Sequence, residues 1–179
     1  MIILFGILGI ISGVLIVVFI AAAFASEDYM VRSDIVIVKP VADVFNYVKY
    51  LENQAYYNKW VMIDPEVKKE FKGTDGTVGF FYSWDSKNNQ VGAGEQTITG
   101  IIPNKKVEYG LRFLRPFQGE AVSYIETDAV TPTSTKVTWT FKGKRTYMMK
   151  VMHIAMNLPK MLAKDLSTSL GHLKALLEK

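Results

Sequence analysis

The chain has 179 residues, 49% of them hydrophobic, with 21 Lys and Arg against 17 Asp and Glu, two histidines and no cysteine. Without cysteine there is no disulfide, no thiolate metal site and no thiol nucleophile, whatever the compartment. A formal charge of +4 leaves a nucleic-acid footprint to a basic cluster within a known module, and the sequence carries none, so no nucleic-acid partner is expected.

The charge is unevenly placed, since every acidic and basic residue lies from Glu27 onward. Residues 2–25 are apolar or glycine apart from Ser12, and a helix of that length reaches roughly 36 Å, enough to cross a hydrocarbon core of about 30 Å. Apolarity on every side suits lipid better than one face of a globule. Ala23-Phe24-Ala25 before Ser26 has the small-x-small form of a signal-peptidase site, but secretory signals carry a basic n-region and an apolar core of about 7–15 residues. Here no cation precedes a far longer run, so residues 1–26 are expected to remain as a single transmembrane anchor, with residues 2–25 in the membrane. Gly9-x-x-x-Gly13 matches the close-packing pattern of membrane helices, a weak signal by itself. For orientation, Arg32 and Lys39 near the span put the domain in the cytoplasm under the positive-inside rule, whereas an export-like N-terminus points the other way.

Residues 27–179 have the size of one domain. Val31, Ser33, Ile35 and Ile37 alternate with Arg32, Asp34, Val36 and Val38, which reads as a strand ended by Pro40. Val41, Val44, Phe45 and Val48 then recur at helical spacing with Asp43 in the first turn, predicting a short helix to about Leu51. Tyr56, Tyr57 and Trp60 follow irregularly. After Asp64-Pro65 come short strand-like runs divided by turn residues, among them Gly73-Thr74-Asp75-Gly76, Pro103-Asn104 and Arg115-Pro116. Val78, Phe80, Tyr82 and Trp84 alternate with Gly79, Phe81 and Ser83; Val107, Tyr109, Leu111 and Phe113 alternate with Glu108, Gly110 and Arg112; Val137, Trp139 and Phe141 repeat the device. One face of an antiparallel meander is therefore apolar and the other mostly wet.

From about Thr146 the period becomes helical, with Pro159 expected to kink or restart it. Leu162, Leu166, Leu170, Leu173 and Leu177 share one face, opposite Lys160, Lys164 and Lys174. The fold class is thus α+β: an antiparallel sheet gripping a long amphipathic C-terminal helix, preceded by one transmembrane helix.

Chemical motifs are sparse. His153 and His172 are too far apart in the sequence to suggest a metal site. There is no Gly-x-Ser-x-Gly elbow or phosphate loop, and Gly92-x-Gly94 reads as a turn or bulge. Of the polar residues in predicted strands, Glu95 shares a face with Thr97 and Thr99, and Arg112 opposes the apolar set. Gln96 shares a face with Ile98, which makes it the best inward polar candidate.

The pattern resembles the START-like, polyketide cyclase and lipid-transport (SRPBCC) superfamily. The resemblance rests on Arg32-Ser33-Asp34-Ile35-Val36-Ile37 with Pro40-Val41-Ala42-Asp43-Val44-Phe45-Asn46-Tyr47-Val48, on Thr135-Lys136-Val137-Thr138-Trp139-Thr140-Phe141, and on the Met-rich closing helix. Lys39, where alanine often precedes the proline, and the loose match of Tyr57-Asn58-Lys59-Trp60 depart from it. The resemblance implies a helix-grip fold over residues 27–179 around an apolar cavity; similar domains bind lipids, sterols, polyketides or plant hormones, and some are cyclases or hydrolases. Strand parity combined with that implication makes Phe80, Tyr82, Trp84, Gln96, Ile98, Leu111, Phe113, Trp139, Met152 and Met156 the candidate ligand-binding residues. The expected partner is a lipid or other hydrophobic small molecule, with no cofactor and no metal. Nothing in the sequence commits the domain to catalysis; a cyclase- or hydrolase-like enzyme in the same cavity and an interaction module without ligand are the alternatives.

Overall fold

The computed structural model describes residues 2–179, with side chains for all of these except 2–4 and 8. Helix α1 runs from Ile2 to Phe24, and its Phe5–Phe24 stretch, with a mean hydropathy of 2.9, is long and apolar enough to cross a membrane. The described side chains from Phe5 to Val17 are exposed, whereas Ala22 is fully buried. Among the described side chains, the helix projects from the rest of the chain and packs by its last two turns against α4 (Tyr147–Met156).

The remaining chain builds one seven-stranded antiparallel sheet in the order β1-β7-β6-β5-β4-β3-β2. Strands β2 (Lys68–Lys72), β3 (Phe81–Asp85), β4 (Ala93–Ile102), β5 (Lys106–Arg115), β6 (Gly119–Thr131) and β7 (Ser134–Lys144) follow one another as a meander, and β1 (Asp28–Ile37) pairs with β7. Side chains alternate across a pleated strand, so Val107 and Tyr109 on β5 and Val137, Trp139 and Phe141 on β7 are buried on one face. Gly92 has a φ of +63°, and a Cβ there would lie 2.1 Å from the Arg115 carbonyl oxygen. The register shifts between Ala93 and Gly94, so Gly92-x-Gly94 is a left-handed turn followed by a bulge. Val78 departs from the expected alternation: it is 60% exposed, because Gly76 and Gly79 at positive φ place it in a turn and β3 starts only at Phe81.

Helix α2 (Val41–Val48) buries Val44, Phe45 and Val48. A 3-10 turn over Glu52–Tyr56 and the single-turn α3 (Lys59–Met62) lead to β2. The closing helical region is two helices. Asn157, at φ +50°, ends α4 and starts α5 (Leu158–Leu177), with Pro159 in the first turn of α5, where its fixed φ and missing N–H are harmless. Leu166, Leu170 and Leu173 of α5 are fully buried on the sheet, while Lys160 and Lys164 are exposed. α5 also covers the β1 edge: Lys174 Nζ donates to the Val36 carbonyl at 2.6 Å, and the Val38 amide donates to Glu178 Oε1 at 2.6 Å. At the other edge, β2 reads Lys68-Lys69-Glu70-Phe71-Lys72 and is largely exposed.

Candidate functional site

A cavity of about 350 Å³ lies between the inner sheet face, the loop joining β5 to β6, and the start of α4–α5. Its walls follow from strand parity: Tyr82 and Trp84 come from β3, Gln96 from β4, Leu111 and Phe113 from β5, Ala121 and Ser123 from β6, Trp139 and Phe141 from β7. Met149, His153, Leu158 and Leu162 close it from the helical side, and Gln54, Asn58 and Trp60 from the segment after α2. All three tryptophans of the chain line it.

The aromatic wall is ordered by contacts between rings. Phe71 stacks on Tyr82 at 5.2 Å and Tyr82 on Trp84 at 5.7 Å, while Trp84 meets Phe113 edge-on at 6.2 Å. Trp84 lies across Gly94, where a Cβ would come within 2.4 Å of the indole, and its Nε1 donates to the Val91 carbonyl at 3.2 Å. The bulge glycine thus lets the ring lie flat on the neighbouring strand.

Most polar groups here are already paired. Ser123 Oγ accepts from Trp139 Nε1 at 2.8 Å and donates to the Thr140 carbonyl at 3.1 Å. Asn58 Oδ1 accepts from the Trp60 amide, and its Nδ2 donates to Gln54 Oε1 at 2.8 Å. Gln54 Nε2 has no partner of hydrogen-bond geometry, although the side chain lies near enough to Tyr109 to favour its anion; burial outweighs this and holds the Tyr109 hydroxyl well above its ordinary range. Gln96 is 6% exposed and lines the cavity, and no hydrogen bond reaches its carboxamide among the described residues.

The mouth carries the charge. Arg115, Pro116, Phe117 and Gln118 form its exposed rim, with Arg115 paired to Asp85. Beside it the Tyr29 and His153 rings meet edge-on at 4.8 Å, and Arg145 Nη1 lies 3.4 Å from His153 Nδ1. Burial, then the Arg145 charge, hold His153 below its ordinary value, which keeps the imidazole neutral at pH 7. Burial pushes Tyr82 up to about 12. Among the described residues no group of three or more His, Cys, Asp or Glu is placed to hold a metal ion.

Of the ten candidate residues, Tyr82, Trp84, Gln96, Leu111, Phe113 and Trp139 line the cavity. Phe80 and Ile98 lie instead in the packed core, 2% and 0% exposed. Met152 and Met156 are off the cavity: Met149 and His153 take the inward positions of α4, and Met156, 53% exposed, is the last residue of that helix. That pair sits at i and i+4, a spacing visible in the sequence, but which face of α4 turns inward is set by its packing over the sheet. Gln54, Asn58 and Leu158 had no sequence signal of their own. A second, wider groove covers the opposite sheet face, lined by Glu95, Arg112, Glu120 and Lys142. Open and charged, it cannot desolvate an apolar ligand as the inner cavity can.

No family model matches the chain, and no curated protein matches it. Solved structures do. Protein MLL2253 from Mesorhizobium loti is 17% identical over 84% of this chain and 97% of its own, with a TM-score of 0.61. The di-domain ARO/CYC StfQ from the steffimycin biosynthetic pathway is 12% identical over 83% of this chain and 50% of its own, at a TM-score of 0.62. DynU16, from the dynemicin biosynthetic locus, is 14% identical over 84% and 47%, at 0.56. At these identities the likeness is one of fold: a seven-stranded antiparallel sheet closed by a long C-terminal helix.

Proposed function

We propose that residues 1–26 tether the protein to a membrane and that residues 27–179 form a START-like domain, which binds a lipid-like or other hydrophobic small molecule between sheet and helices. The observation that carries this reading is an aromatic-walled cavity lined by two buried carboxamides, Gln96 and Gln54, the latter with an unpartnered Nε2. Its volume of about 350 Å³ is within the range of small-molecule sites, about 300–1,000 Å³. Amides able to donate or accept fix the polar end of a largely apolar ligand, such as a carbonyl or hydroxyl. The fold shared with an ARO/CYC protein and with a protein of a biosynthetic locus supports a cavity for hydrophobic compounds.

Because Trp60, Trp84 and Trp139 all line the cavity, bound ligand is readable directly. Full-length protein in lipid nanodiscs should transfer tryptophan excitation to a dansyl-labelled fatty acid above the level of empty nanodiscs. Ala121→Phe, which adds volume opposite Leu111, should suppress the transfer while the protein still unfolds cooperatively. Transfer no greater than in empty nanodiscs would favour an interaction module without ligand.

The Tyr29, His153 and Arg145 cluster favours one second reading, a cyclase- or hydrolase-like reaction at the mouth with neutral His153 as the base. Under that reading His153→Gln keeps dansyl-ligand binding but abolishes chemical conversion of ligands co-purified with the protein. Co-purified ligands recovered unchanged from both proteins would dismiss it.

A further inference from the structure

Helix α4 carries a partly exposed row of methionines beside the one that faces the cavity. Met149 lines the cavity, while Met148, Met152 and Met156 recur every four residues along a neighbouring stripe, Met148 being 57% and Met156 53% exposed. Apolar side chains left in water forgo the hydrophobic stabilisation that a cover would supply.

The packing of α1 indicates the cover. Its last two turns rest on α4, where the Tyr147 hydroxyl donates to the Phe19 carbonyl at 2.9 Å and the two rings lie 6.3 Å apart. Phe19 is five residues before the end of α1, hence roughly 8 Å inside it, so Tyr147 packs near the domain-side end of the span, and tyrosines are enriched where spans meet the interface. The mouth is at the same end of the sheet: Asp28 pairs with Lys144, Ala121 with Gly143, and Phe113 with Gly119. Phe117, 57% exposed, stands on the rim there, and Lys142, Lys144 and Lys160 are exposed nearby on the chain, as suits anionic headgroups.

Resting on the reading of α1 as a membrane span, we infer that the Met148-Met152-Met156 stripe and Phe117 lie in the surface of the bilayer that holds α1. The cavity mouth then opens at the lipid, and a hydrophobic ligand passes between bilayer and cavity without crossing bulk water.

The absence of cysteine makes the test direct. Met152→Cys, Phe117→Cys, Ile11→Cys and Thr133→Cys, the last in the β6–β7 turn at the far end of the sheet, are each labelled with an environment-sensitive fluorophore. The full-length proteins are placed in phosphatidylcholine–phosphatidylglycerol vesicles doped with nitroxide lipids. Labels at 152 and 117 should lose most emission to nitroxides near the headgroup, the label at 11 to mid-chain nitroxides, and the label at 133 to neither. Quenching at 11 without quenching at 152 and 117 overturns the docking surface and leaves the anchor standing. No quenching at any of the three overturns the anchor and the docking together, and quenching at 133 equal to that at 152 overturns the proposed orientation.

Discussion

Two buried tyrosines differ in how their hydroxyls are satisfied. Tyr109 donates to the Val48 carbonyl at 3.1 Å, whereas the Tyr57 hydroxyl, equally buried, has no partner among the described residues. Removing a buried group that makes no hydrogen bond is neutral or stabilising, while losing a made bond costs about 0.5–1.5 kcal/mol. Tyr57→Phe is therefore expected to keep or raise the denaturation midpoint, and Tyr109→Phe to lower it, in matched urea titrations. His153 gives a pH signature. Its folded-state value lies below the ordinary 6.5, so the unfolded chain takes up the proton first as pH falls. Stability is then complete above the unfolded value and declines as pH drops through it toward the folded value. His153→Gln should flatten that part of a melting-temperature profile; an unchanged slope would mean that the imidazole gains its proton without resistance. Gln96 was legible from parity alone, because Ile98 two residues on fixes its face. The pairing of Asn58 with Gln54 was not, since it depends on an irregular turn that no periodicity marks.

At the scale of elements, α5 separates stability from surface. Leu166 and Leu170 are fully buried against the sheet, so Leu→Ala at either should cost about 2–5 kcal/mol. Lys164 is exposed on the opposite side, and Lys164→Ala should change stability by about 0.5 kcal/mol or less. Equal losses at both kinds of position in denaturant melts would refute the assigned face. The leucine stripe was readable because twenty residues repeat one period. Helix α4 was harder: it has ten residues, too few for the pattern to fix a phase, and methionines on several sides give no contrast between inside and outside. Hence Met152 and Met156 were expected in the cavity, where Met149 and His153 stand. The strands were legible by alternation except where glycines at positive φ turn the chain, as before β3, and the rim loop read as a turn with no hint that it borders a cavity.

For the molecule as a whole, the anchor reading predicts that the protein stays with the membrane pellet after alkaline carbonate extraction and that its N-terminal sequence begins before Ser26. Release into the supernatant, or a mature start at Ser26, would refute it. An open sheet has two edges, and on the anchor reading both matter at the membrane. Copies tethered in one plane share an orientation and diffuse in two dimensions, so exposed strands meet already aligned and collide far more often than in solution. Strand-to-strand fusion is the hazard of such crowding. One rim is capped by Lys174 and Glu178, whose side chains occupy the backbone groups of Val36 and Val38; the other presents Lys68, Lys69 and Lys72, whose like charges repel the same strand on a neighbour. On the anchor reading, side chains far from the cavity are then expected to keep a dense population of tethered domains from zipping into a continuous sheet.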